Sequence, residues 1–291
     1  MNKNVWRSRP FIICCFVLLA LIISGMFAVK AGKFYNPTTP FVGGKLQPPS
    51  ASFWLGTDEL GRDVFSRLLD ATGVTLGLAL ISVVLAMVTG TLLGMVAGYD
   101  VLPIATPVIL FIGQISVIFP VRWLPLIIVL LFGEHAFGMM MSMFFSLWGQ
   151  FLWLIYDEAR ALKGRAFIQA AYMSGGTRWG ILKFHVLPYM VPTVLVLATL
   201  SFRTAIGVIS TLSFLGIGLQ PPTPTWGSMI SEAQPYFFQA WWLVLFPLLA
   251  LVVSVLAINW IGHLLGRKWS VSGRAKLQKR GDSRAKSSIF T

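Results

Sequence analysis

The chain has 291 residues, of which 56% are hydrophobic and only 11% charged, against about 25% charged in an ordinary soluble domain. That balance describes a membrane protein and leaves no room for a large soluble domain beside the apolar blocks. The net charge of +13 is not a nucleic-acid footprint, because most of the cations sit near the ends of apolar spans, where they set topology.

Residues 1–10 carry Lys3, Arg7 and Arg9 and lead into an apolar run at 11–29. Val29-Lys30-Ala31 loosely resembles a signal-peptide cleavage site, but the run is longer than a signal core and reaches about 28 Å, enough for a first transmembrane helix. Cys14 and Cys15 are adjacent inside it, which excludes a disulfide framework. A more polar segment follows at 30–71. Further apolar blocks run at 72–98, 101–156, 189–218 and 241–265, and a basic tail occupies 266–291. The long block at 101–156 is interrupted by Arg122 and by GEHAFG at 133–138, and its length fits two spans rather than three. The expected fold class is all-α, a polytopic membrane protein with six transmembrane helices.

Charge sets the orientation. With both termini cytoplasmic, most of the 23 lysines and arginines fall in 1–10, 157–188 and the tail, while Lys30, Lys33, Lys45, Arg62, Arg67 and Arg122 share the external segments with six of the ten acids. The strong positive excess inside is the expected bias. His135, His185 and His263 are scattered, without metal-ligand spacing. MMMSM at 139–143 has a copper-like look, yet no His or Cys accompanies it and Met is common packing filler.

The insert at 157–188 is the long polar stretch between the apolar blocks. Gly175-Gly176-Thr177 is a helix stop, so the insert is expected to form helix–turn–helix. Ala166, Ala170 and Ala171 offer a surface of small side chains, with Phe167, Ile168, Tyr172 and Met173 as apolar anchors. Two uses fit these residues equally: docking in a partner's groove, or lying among anionic headgroups.

Gln169-Ala170-Ala171, Gly175 and Val186-Leu187-Pro188 resemble the "E-A-A…G…I-L-P" loop of the permease subunits of ABC importers. WLGTDELGRDVFSRLL (54–69) and LSFLGIGLQPPTPTWGSMI (212–230), with Asn259 in the last span, are similar to the peptide/nickel type: dipeptide, oligopeptide, nickel and antimicrobial-peptide permeases. The resemblance covers roughly 53–265 and implies a type I importer permease fold, with the transmembrane domain at 72–265 and a coupling helix between helices 4 and 5. Ala166, Gln169, Ala170, Ala171, Gly175 and Pro188 would form the ATPase-coupling surface. Gln169 stands where an acid is usual, and Ala166 where peptide-type members commonly carry Glu. Gly56, Thr57, Asp58, Gly61, Arg62, Asp63, Gly216, Trp226, Gly227 and Asn259 fall on family-motif positions of structural type. From the residues alone, Thr57 and Asp58 are N-cap types, Gly61 permits a bend, and Trp226 is expected to anchor at the membrane interface.

The implied partners are a second homologous permease, two ATP-binding-cassette ATPases, an external solute-binding protein and membrane lipid, with no nucleic acid. ATP and Mg²⁺ would be used by the ATPases and no cofactor would be bound by this chain, which has no G-x-x-x-x-G-K-[ST] phosphate loop. The pore subunit is expected to be non-catalytic, in a bacterial cytoplasmic (inner) membrane. A secondary transporter or channel subunit of similar topology is the competing class, but the expected spans carry no mid-depth acid. Neither G-x-S-x-G nor H-E-x-x-H is present for an intramembrane hydrolase. Arg203 is the one cation expected at mid-span, either paired structurally or facing the solute pathway. Peptides, nickel or another chelated metal, and antimicrobial peptides all remain open as solutes.

Overall fold

A computed structural model describes residues 38–119 and 123–287, with side chains as far as Gly266. The apolar run expected to form the first helix, at 11–29, lies outside the described residues. In chain order the helices are α1 (Val64–Gly98), α2 (Thr106–Ile118), α3 (Trp123–Phe132), α4 (Ala136–Leu162), α5 (Ala166–Met173), α6 (Arg178–Ile181), α7 (Leu187–Phe214), α8 (Trp226–Ala233) and α9 (Trp242–Ser287). Among the described residues the only extended pairing is an isolated bridge between Thr57 and Asp63. A π-helical segment, Leu182–Val186, joins α6 to α7, so Arg178–Phe214 is one continuous rod.

Among the described residues four helices are long and apolar enough to cross a membrane: Val64–Gly98, Ala136–Leu162, Arg178–Phe214 and Trp242–Gly266. The helices α2 and α3 would add a fifth if together they make one span, although their axes turn by 108°. Alone, the 13 residues of α2 reach about 20 Å, short of a hydrocarbon core of about 30 Å. The block at 101–156 therefore supplies one full helix and a bent pair.

The start of α1 differs from the expected apolar block at 72. The cap is Asp63, not Thr57 or Asp58: its carboxylate accepts hydrogen bonds from the Ser66 amide at 2.9 Å and the Ser66 hydroxyl at 2.6 Å. With 35 residues, α1 is about 52 Å long, so it projects beyond the hydrocarbon layer. Polar groups at its two ends can then meet the polar segments on either side.

Burying apolar surface does not drive lipid-solvated helices together, so close packing must come from small side chains. Gly90, Gly94 and Gly98 recur every four residues along one stripe of α1. A methyl added there would stand 2.5 Å from the Trp148 carbonyl oxygen, 2.6 Å from that of Leu152 and 2.7 Å from Ala159 Cβ, respectively. Backbone thus lies on backbone between α1 and α4. Met139 and Met143, from the MMMSM run, are fully buried core residues.

Trp226 is also fully buried rather than placed at a membrane interface. Its indole N–H donates to Thr72 Oγ1 at 3.1 Å, and a capping box between Thr225 and Ser228 starts α8 at this point. Gly227 lets α8 lie directly on α7, since a Cβ there would stand 2.0 Å from the Ser210 carbonyl oxygen. The indole nitrogen must find a partner when buried, which makes this contact specific to one arrangement of α1 and α8.

Candidate functional site

At one end of the bundle, α5 follows α4 close to where α1 ends. Ile168 is its fully buried residue and Ala171 is half-buried against the core, so Ile168 is not available as an anchor for a partner. Ala166, Gln169, Ala170 and Met173 are all exposed and follow the i, i+3, i+4, i+7 spacing of a single helix face. Met173 is 90% exposed. Phe167 is turned aside and meets Tyr189 with ring centroids 6.1 Å apart. The outward face is therefore flat, with two alanines and a glutamine beside one large, adaptable methionine.

The turn after α5 is a Schellman motif. The Gly176 amide donates to the Ala171 carbonyl and the Gly175 amide to that of Tyr172, both at 3.0 Å, with Gly175 at φ +80°. Thr177 then caps the next helix, accepting from the Gly180 amide at 3.2 Å. Pro188 is exposed in the first turn of α7, directly after the π-helical segment. Gly216 ends the same helix by the same device: its φ is +81°, with the Ile217 amide on the Leu212 carbonyl at 3.0 Å.

At the opposite end of α1, the GTDELGRD segment builds a buried ionic cluster. Asp58 Oδ1 accepts from the Leu60 and Arg62 amides at 2.9 Å, while Oδ2 accepts from Arg62 Nε at 2.6 Å and also from Arg67. Glu232, carried by α8, takes Arg67 at 2.9 Å and Arg62 at 3.4 Å. Arg62 reaches Glu59 at 2.9 Å as well. Burial, with Asp58 beside it, holds the Glu59 carboxyl above its ordinary range. Thr57 serves the turn rather than a helix, donating to the Gly44 carbonyl at 2.5 Å and accepting from the Gln47 amide at 2.9 Å. Gly56 and Gly61 are at φ +79° and +70°, and each lies too close to neighbouring backbone for a Cβ. Sequence reasoning missed Glu232. Its signal was that it is the one acid between Asp157–Glu158 and Asp282, facing a chain with two external arginines in a single motif.

Arg203 and Asn259 come together: Arg203 donates to Asn259 Oδ1 at 3.1 Å, joining α7 to α9. The partner is neutral, and no acid pairs with Arg203 among the described residues. Next to it in sequence, Thr204 begins a wall of small and hydroxylated residues (Thr204, Gly207, Val208, Thr211) that faces Trp123 and Leu126 of α3 across an open cleft of about 740 Å³.

A family model described as "Binding-protein-dependent transport system inner membrane component" matches residues 90–271. The di/tripeptide transport system permease protein of Pseudomonas aeruginosa is 35% identical, over 84% of this chain and 82% of its own length. The dipeptide transport system permease protein of Alkalihalophilus pseudofirmus is 32% identical, over 89% and 85% respectively. The nickel transport system permease protein of Escherichia coli is also 32% identical, over 86% of this chain and 91% of its own length. With the matched region covering α4, the α5 turn, α7 and most of α9, the chain belongs to the family of binding-protein-dependent transport system inner membrane components.

Proposed function

We propose that this chain is one of two permease subunits that form the pore of an ATP-driven importer, taking up a peptide or a nickel-type metal chelate by alternating access. The observation that carries the proposal is the exposed face of α5, with Ala166, Gln169, Ala170 and Met173 presented outward by the buried Ile168. A short helix with small residues on one face and an adaptable side chain at its end suits a groove on a partner protein. Here that partner is a cytoplasmic ATPase, one under each of the two permeases. The ATPases use ATP and Mg²⁺, an external binding protein delivers the solute, and this chain catalyses no reaction. Lysines and arginines concentrated around α5 and in the tail support a cytoplasmic position for that end and for both termini. The ionic cluster of Asp58, Arg62, Arg67 and Glu232 then lies outside.

In this arrangement Arg203 brings an uncompensated charge to the exposed side of α7, beside the cleft at Thr204. A charge within a membrane span must face protein or water, so its anionic partner comes from the second permease or from the solute itself.

Uptake tests the function directly. The chain is expressed with its partner permease, ATPases and binding protein, and accumulation of labelled dialanine and of radioactive nickel is measured. At least one probe should accumulate, and accumulation should stop when either the ATPase or the binding protein is omitted. Accumulation that persists without them would refute an ATP-driven importer.

A further inference from the structure

The turn between α1 and α2 contains a residue that touches both flanks of α5. Asp100 has φ +50°, a left-handed conformation that Asp and Asn tolerate best among non-glycine residues. Its Oδ2 accepts from Lys163 Nζ at 2.7 Å, and its backbone carbonyl accepts from an Arg178 guanidinium N–H at 3.0 Å. Lys163 lies just before α5, and Arg178 just after the Gly175 turn that ends it. Two cations that bracket the docking helix therefore converge on a single residue of a different hairpin.

The contact adds to the few that fix α5: the buried Ile168, Ala171 against the core and Phe167 on Tyr189. The helix has eight residues, too few to be stable alone, and a single fully buried side chain, Ile168. Behind Asp100 the structure is stiff. Tyr99 is 2% exposed, and the Gly98 Cα faces Ala159 so closely that no methyl would fit between them. Lys163 Nζ also stands 5.7 Å above the Tyr99 ring. Burial, with Tyr172 adding to it, pushes the Tyr99 phenol up to about 12. Exposed ion pairs add little to stability, so the effect of this one is on position.

We propose that Asp100 is a positioning residue that clamps both flanks of α5 to the end of α1, so that the docking helix and α1 move as one body when the ATPases close. The inference rests on the docking function proposed above and adds the route by which movement of α5 reaches a transmembrane helix.

The test uses the full complex with its partner permease and ATPases, with Cys14 and Cys15 replaced. Nitroxides are placed at Ser174, exposed beside α5, and at Val88, exposed on α1, and their separation is measured with and without a non-hydrolysable ATP analogue. The expected result is one narrow distance that the nucleotide does not change. Asp100→Asn keeps the left-handed turn but loses the charge, and should broaden the distribution and make it nucleotide-dependent. Lys163→Met should do the same, whereas Asp100→Glu should restore the narrow distance. The clamp is overturned if both Asp100→Asn and Lys163→Met leave the distribution as narrow as in the wild type, or if the wild-type distance itself shifts with nucleotide. Absence of the ATPases from the wild-type complex, read on a gel before any distance is measured, would overturn the docking function and the clamp with it.

Discussion

Two glycines on α1 should respond to the same substitution with opposite signs. At Gly94 an added Cβ would lie 2.6 Å from the Leu152 carbonyl oxygen and 3.0 Å from Ile155 Cβ, while at Gly77 nothing lies within 4 Å. Relieving the contact at Gly94 requires the two backbones to part by about 0.8 Å, which loosens dispersion contacts along the whole seam. Overpacking of this kind costs about 1–3 kcal/mol, and alanine's better helix propensity returns about 1 kcal/mol. Gly94→Ala should therefore destabilise by up to about 2 kcal/mol, and Gly77→Ala should stabilise by about 0.5–1 kcal/mol. The assay is equilibrium unfolding of the purified chain by SDS in mixed micelles, followed by helical circular dichroism. Gly94→Ala should unfold at lower SDS than wild type and Gly77→Ala at higher. If the two variants shift in the same direction, the backbone contact between α1 and α4 is wrong.

The external cluster gives a second contrast. Asp58→Asn removes one partner of two buried arginines and should destabilise by about 3 kcal/mol or more. Glu59→Gln should change stability by less than about 0.5 kcal/mol at pH 7, because the folded state already disfavours the ionised form. A carboxyl raised in this way contributes stability when protonated, and loses it as pH rises through its folded value. Thermal midpoints of both variants against wild type, compared at pH 7 and at a lower pH, check this. Gly175→Ala should cost about 1 kcal/mol through its left-handed φ and weaken ATPase co-purification, while Gln169→Glu, on the exposed face, should leave it unchanged. Arg203→Met should either lower recovery of the paired permeases, as a charge matched by the second permease requires, or leave assembly intact and change which probe is taken up. Wild-type assembly together with wild-type uptake would refute both roles.

What the sequence made legible was whatever is written locally. Apolar length marked out the span of α7 and the apolar part of α9, and Gly175 ended its helix where glycine following a helical pattern is expected to, whereas Gly216 was read only as a motif residue. What it hid was pairing at long range. Thr57 and Asp58 have the right chemistry for an N-cap, but Asp58 pairs instead with Arg62 and Arg67, Asp63 takes the cap, and Glu232 arrives from α8 to complete the cluster. Trp226 has the amphipathic character of an interface residue, yet Thr72, more than 150 positions earlier, satisfies its N–H inside the core. The α5 face was partly legible: the alanines stood out, but which of the apolar neighbours turned inward depended on the bundle beneath, and Ile168 was the one buried. Asn259 was read as a motif residue and Arg203 as a lone mid-span charge, and only the crossing of α7 and α9 joined them.

The central claim, that the exposed face of α5 docks on a cytoplasmic ATPase, is tested most directly by photo-crosslinking in the assembled complex. A benzoylphenylalanine replaces Met173, which is 90% exposed at the end of α5, and in a separate variant replaces Phe41, which is 70% exposed at the opposite end of the molecule. Irradiation should join the Met173 variant to the ATPase subunit and leave the Phe41 variant free of it. An ATPase adduct from Phe41, or none from Met173 in a complex that still contains the ATPase, would contradict the claim.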